Sequence, residues 1–112
     1  MAKFTMRLNA DFDRFLLALH EGILNGSASA SFEDGSDWSA GNSRCAVRVY
    51  ERYSTLGGNR VSLNITLTGC GRDLFLTAIT SGGSQAMLFK LNTLGEHSFL
   101  QCAEKIANNY RE

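Results

Sequence analysis

Residues Arg60-Val61-Ser62-Leu63-Asn64-Ile65-Thr66-Leu67-Thr68 alternate without a break between polar and apolar side chains. A period of two belongs to a β-strand with one dry face and one wet face. Val61, Leu63, Ile65 and Leu67 face inward; Arg60, Ser62, Asn64, Thr66 and Thr68 face outward. The rest of the chain must supply strands to extend this sheet and helices to cover its dry side.

Lys3 to Leu8 alternates in the same way, with Phe4, Met6 and Leu8 opposite Lys3, Thr5 and Arg7. Asn9 offers a helix cap, and Asp11 and Asp13 suit the positive end of a helix dipole. Phe12, Phe15, Leu16, Leu19 and Ile23 follow at helical spacing, and Asn25-Gly26 reads as a left-handed stop. A helix is expected over residues 10–24. Ser27 to Phe32 reads as a further strand, Glu33 to Asp37 as a turn, and Trp38 to Ser43 as a loop or ragged strand. Arg44 to Tyr53 is a long strand, Leu56-Gly57-Gly58-Asn59 a hairpin loop, and Gly69 to Asp73 a turn into the strand Leu74 to Thr80. Ser81-Gly82-Gly83-Ser84-Gln85 then breaks the pattern. The segment Gln85 to Leu91 fits a short strand or a helical turn. Thr93-Leu94-Gly95-Glu96 fits a capping box. Phe99, Leu100, Ala103, Ile106, Ala107 and Tyr110 mark the buried stripe of a closing helix over about 95–110.

The order is strand, helix, four strands, helix. Adjacent strands on short turns pair antiparallel, and two helices on one apolar face give a two-layer α+β sandwich of about five strands. At 112 residues the chain is a single domain, 1–112. Chains of this size bury roughly two-thirds of their unfolded surface, enough for a core without a disulfide or metal. The chain has no proline, so no strand residue lacks a backbone donor. This order resembles the TBP-like arrangement, an analogy of topology that carries no function.

Arg44-Cys45-Ala46-Val47-Arg48-Val49-Tyr50-Glu51-Arg52-Tyr53-Ser54 and Leu56-Gly57-Gly58-Asn59-Arg60-Val61-Ser62-Leu63-Asn64, with the later Ile79 to Gln85 and Lys90 to Glu96, are similar to a family of small uncharacterised bacterial proteins. The resemblance spans nearly the whole chain. It implies a stand-alone bacterial domain of unknown function and brings no catalytic residues to transfer.

Eleven Lys and Arg balance eleven Asp and Glu, so net charge gives no preference for nucleic acid or an anionic membrane. No window approaches the ~18 apolar residues of a membrane span. The N-terminus lacks the apolar stretch of a signal peptide. Three cysteines, Cys45, Cys70 and Cys102, form no CxxC pair and read as reduced thiols of a cytoplasmic protein.

Arg44, Ala46, Arg48, Tyr50 and Arg52 are expected to face outward with Lys3, Arg7 and Arg60, so that the wet face of the sheet carries six cations and no acid. Solvation alone accounts for such a face. The functional reading is a non-enzymatic interaction module that uses this open basic face. Its binding candidates are Arg44, Arg48, Tyr50, Arg52, Arg60, Asn64 and Glu51. Arginine forks suit phosphate or carboxylate, and Tyr50 suits stacking, so an anionic ligand or nucleic acid is the alternative. Self-association as a homodimer, through the face or an edge strand, is a further expectation.

Catalytic signals are sparse. Ser81-Gly82-Gly83-Ser84-Gln85 follows a strand but matches neither GxxxxGK[ST] nor GxGxxG. It reads as a bulge or strand-end turn. His20 and His97 have no metal-ligand spacing, and no metal or other cofactor is expected. Cys45 and Cys102 read as core residues. Cys70, between two glycines and beside Arg72, is the candidate reactive thiol. Parity puts Glu51 on the buried face with Val49 and Tyr53, unless the strand has left the core or bulges there; a small enzyme with a pocket around Glu51, beside Tyr53 and Trp38, or around Cys70 is the third reading.

Overall fold

The computed structural model describes residues 1–27, 29–53, 60–82 and 89–110. The chain runs β1 (Ala2–Asn9), α1 (Phe12–Asn25), β2 (Ser31–Ala40), β3 (Ser43–Tyr53), β4 (Arg60–Cys70), β5 (Asp73–Gly82) and α2 (Phe89–Asn108). The five strands form one antiparallel sheet in the order β1-β5-β4-β3-β2. Both helices lie on one face, giving the expected two-layer α+β arrangement. The central strand is β4, the segment with the cleanest alternation. Val61, Leu63, Ile65 and Leu67 are all fully buried there.

Asp11 rather than Asn9 caps α1, its carboxylate accepting from the Arg14 amide at 3.0 Å. Asn9 completes β1 instead, and its side-chain oxygen accepts from Arg72 Nε at 3.1 Å. Phe12, Phe15, Leu19 and Ile23 form the buried stripe of α1. The C-cap Gly26 is right-handed, with φ −76°, so the expected left-handed stop is not used. α2 packs on β5, β1 and β4 and lies beside α1. It starts at Phe89, so Thr93 to Glu96 lies inside the helix and does not cap it. Gly95 costs about 1 kcal/mol in a helix interior, small against the burial of Phe99, Leu100, Ala103 and Ala107 on the same helix. Of the ambiguous segment, residues 89–91 are helical. The rest of it, the hairpin loop Leu56–Asn59, and Gly83 to Gln85 lie outside the described residues.

The largest change from the sequence expectation is β2. Ser27 and Ser29 precede the strand, which begins at Ser31 and runs through the expected turn and loop to Ala40. This edge strand is exposed along nearly its whole length, so it shows no apolar alternation. Its pairing comes from β3 and from the tight Gly41-Asn42 turn, and a register shift between Phe32 and Asp34 absorbs Glu33 as a bulge.

Two-residue turns close both described hairpins: Gly41-Asn42 between Ala40 and Ser43, and Gly71-Arg72 between Cys70 and Asp73. Gly41 has φ +58° and Gly71 φ +62°, and no other described residue has positive φ. A positive φ at the first position alone matches a type II′ turn. A Cβ at either glycine would meet nothing within 4 Å, so only backbone strain opposes a side chain. Gly41→Ala and Gly71→Ala are each expected to lower unfolding free energy by about 1 kcal/mol in urea titration. An unchanged midpoint in both would show that these turns tolerate an L-residue.

Candidate interaction surface

The pairing registers sort the uncovered side of the sheet into cross-strand rows. One row runs Trp38, Cys45, Thr68, Phe75, Arg7 from β2 to β1. The next runs Ser36, Val47, Thr66, Thr77, Thr5. A third runs Asp34, Val49, Asn64, Ile79, Lys3; Asp34, at the bulge, also borders the helix side. A fourth holds Ser31, Glu51, Ser62 and Ser81. Trp38 and Phe75 keep 66% and 45% of their surface exposed. They stand three strand spacings apart, about 14 Å. Cys45 and Thr68 lie between them, and a hollow of about 480 Å³ is lined by these four with Arg7 and Cys70.

This is not the basic face expected from the sequence, because β3 is turned over. Ala46 and Tyr50 are buried on the helix side, in register with Leu67 and Leu63 of β4. Arg44, Arg48 and Arg52 share that side. Arg44 lies over the Phe12 ring at 4.1 Å and holds Asp13 through two hydrogen bonds of 3.0 and 2.8 Å. Arg48 pairs with Asp37 at 2.9 Å and donates to the Val47 carbonyl at 2.8 Å, its side chain only 18% exposed. Arg52 lies over Phe99 at 4.7 Å. Their aliphatic stems cover the margin of the core while the guanidinium groups reach acids and rings. Three of the six cations therefore leave the uncovered face, and Lys3, Arg7 and Arg60 remain.

Glu51 moves the opposite way. It sits on the uncovered face, with an oxygen 3.2 Å from Arg60 Nη1, and the inversion of β3 puts it there, since the pairing with β4 runs without a bulge to Tyr53. Asn64 keeps its outward position, with Thr66 Oγ1 donating to its side-chain oxygen at 3.2 Å. Cys70 is exposed at the end of β4, four rows away from Glu51. Cys45 is half-buried on the uncovered face and is not a core residue, while Cys102 is half-buried and packs against the core. No disulfide joins the three cysteines. Among the described residues, no three of His, Cys, Asp and Glu gather to hold a metal ion.

Two surface acids are held by arginines. Hydrogen bonds from Arg7, at 2.9 and 2.8 Å, keep the Asp73 carboxyl below the ordinary carboxylate range, and Arg44 does the same for Asp13. The Arg7–Asp73 pair fixes the guanidinium plane at the rim of the hollow, on the β1 edge.

On the helix side a second groove, about 540 Å³, lies between α1 and β2, lined by Leu16, Leu17, His20, Phe32, Asp37 and Arg48. At its inner end His20, Phe32 and Tyr50 form a triangle of rings with centroids 5.3 to 5.8 Å apart. Tyr50 Oη lies 2.8 Å from His20 Nδ1, a hydrogen bond that either group can donate. Sequence reasoning missed this cluster, although His20 stands four residues after Leu16 on the stripe of α1. It also missed Phe75, and it placed Trp38 in a pocket with Glu51 and Tyr53, not in a row with Phe75. The available signals were the lone tryptophan in a polar segment and the parity of Phe75 against Leu74 and Leu76.

A five-stranded antiparallel sheet, covered by two helices on one side and bearing an aromatic-rimmed hollow on the other, defines a two-layer α+β domain with an open sheet face. The chain belongs to the Family of unknown function (DUF6054), whose profile matches residues 1–111. No curated protein and no solved structure matches it. No helix among the described residues is long and apolar enough to cross a membrane.

Proposed function

We propose that this domain is an interaction module whose partner docks on the open face of the sheet, self-association included. The observation that carries the reading is the exposure of Trp38 and Phe75 on either side of the hollow, in a face that also bears Val47, Val49 and Ile79. Large aromatic side chains left exposed on one open face mark interaction sites in soluble proteins, and tryptophan is among the residue types most enriched as interface anchors. Arg60, Asn64 and Glu51 remain part of this surface. The alternative of an anionic ligand or nucleic acid loses its cradle, because Arg44, Arg48, Arg52 and Tyr50 lie on the other side.

The test is in-cell photo-crosslinking with benzoylphenylalanine placed at Phe75, compared with the same group at Leu17, an exposed site on the helix layer. Adducts are expected from position 75 and are expected to fall when Trp38 is also changed to Ala. No adduct at 75, or equal yields at 75 and 17, would overturn the reading.

A further inference from the structure

We infer that the occupant of the open face is a second copy of this chain, joined about a two-fold axis that runs parallel to the strands over β4. The inference rests on the open-face reading and names its partner. It follows from how the register distributes charge and apolar surface across the sheet.

β4 is the third of five strands, so an axis over it lays each row on its own copy in reverse order. β1 then faces the partner's β2, and β5 faces the partner's β3. In one row Arg7 meets the partner's Trp38, a cation over an indole. In another Lys3 meets the partner's Asp34. Nearer the axis, Ile79 meets the partner's Val49, and Phe75 meets the partner's Cys45. Symmetry makes every such contact twice; Thr68, Thr66, Asn64 and Ser62 lie along the axis itself, with Arg60 at its end, its charge held by Glu51 of the same copy. Apolar pairs thus flank a polar stripe along the axis, and the charged side chains Arg7, Lys3 and Asp34 stand at the margins.

The competing arrangements fare worse. A two-fold axis across the strands sets β1 on β1, with Lys3 against the partner's Arg7, and sets β2 on β2. Like charges then oppose along the β1 edge, and Asp34 loses its cation and faces the partner's Trp38. Edge-to-edge pairing through β2 opposes a strand that carries a bulge and Glu33, Asp34 and Asp37, features that block strand addition.

Five strands at about 4.8 Å and five rows at about 6.8 Å, the fifth running Ala40, Ser43, Cys70, Asp73, Asn9, span roughly 19 by 27 Å, on the order of 500–700 Å² with the side chains. A standard interface buries about 800 Å² per partner. This dimer therefore belongs at the small end of the range, and its test needs concentrations well above those of a tight complex.

The experiment is sedimentation equilibrium of the full chain from about 10 μM to 1 mM. The wild type is expected to shift from monomer to dimer across this range. Trp38→Ala is expected to weaken dimerisation at least about tenfold. Lys3→Glu and Asp34→Lys each set like charges together and are expected to weaken it several-fold. An equimolar mixture of these two variants restores both pairs and is expected to dimerise as the wild type does. Circular dichroism matching the wild type checks that the variants are folded. A wild type that stays monomeric at 1 mM, or a mixture that fails to recover, overturns the second copy as partner. Adducts from position 75 to another protein, with a monomer in sedimentation, would sink this inference and leave the open-face reading standing.

Discussion

Replacing Phe15 by alanine is expected to lower unfolding free energy by about 3–5 kcal/mol, a large share of the ~5–15 kcal/mol that holds a domain of this size. Phe15 has no exposed surface, and its ring meets Tyr110 edge-on, with centroids 5.0 Å apart and planes at 74°. It ties α1 to the end of the closing helix, so truncation leaves a void on both sides of that joint. An edge-to-face pair adds roughly 1 kcal/mol to the loss. The better helix propensity of alanine returns only about 0.5 kcal/mol. Leu17 lies two residues away on the solvent side of the same helix. Leu17→Ala is expected to stay within about 0.5 kcal/mol of the wild type. Urea titrations of the two variants make the comparison, and a loss below about 1 kcal/mol for Phe15→Ala would contradict the packing described.

The second large effect is alkaline. Burial pushes the Tyr50 phenol up to about 12, and the positive charge of Arg48 only partly offsets this. In the unfolded chain the same group ionises near 10. The folded state thus prefers the protonated phenol. That preference is fully present below pH 10 and is lost as pH rises from 10 to 12. Two pH units correspond to roughly 3 kcal/mol. At neutral pH, Tyr50→Phe loses the hydrogen bond with His20 and is expected to cost about 1 kcal/mol. Above pH 11 the order reverses, and the phenylalanine variant is expected to be the more stable. Guanidinium titrations of both proteins at pH 8, 10, 11 and 12 expose the crossing. Parallel curves would mean that Tyr50 ionises in the fold as readily as out of it.

How legible these features were depended on whether one face of a segment was uniformly dry. β4 and the stripe of α1 are apolar on one side only, so period alone placed Leu63, Ile65, Phe15 and Leu19. β3 carries apolar residues on both sides, Val47 and Val49 toward solvent and Ala46 and Tyr50 toward the helices. Its alternation is real but has no sign. Only pairing with β4 fixes it, and that single inversion moved Arg44, Arg48 and Arg52 off the open face and brought Glu51 onto it. β2 was illegible for a different reason. As an edge strand exposed on both faces it needs no hydrophobic pattern, and its Gly, Asp and Ser residues mimic a turn. The placing of Trp38 and Phe75 in one row with Arg7 emerged only from the register.

The position of β1 has a consequence for how the chain comes together. The hairpins β2–β3 and β4–β5 close through two residues, whereas Arg7 and Asp73, which clasp β1 to β5, are 66 residues apart. Closing the longer loop costs about 3 kcal/mol more chain entropy than closing a two-residue turn. The four-strand meander is therefore expected to assemble from local contacts before β1 seats. Lys3 and Arg7 sit on that strand, so a chain in which β1 has not paired lacks the cationic margin of the open face and the contacts by which two finished copies would find each other.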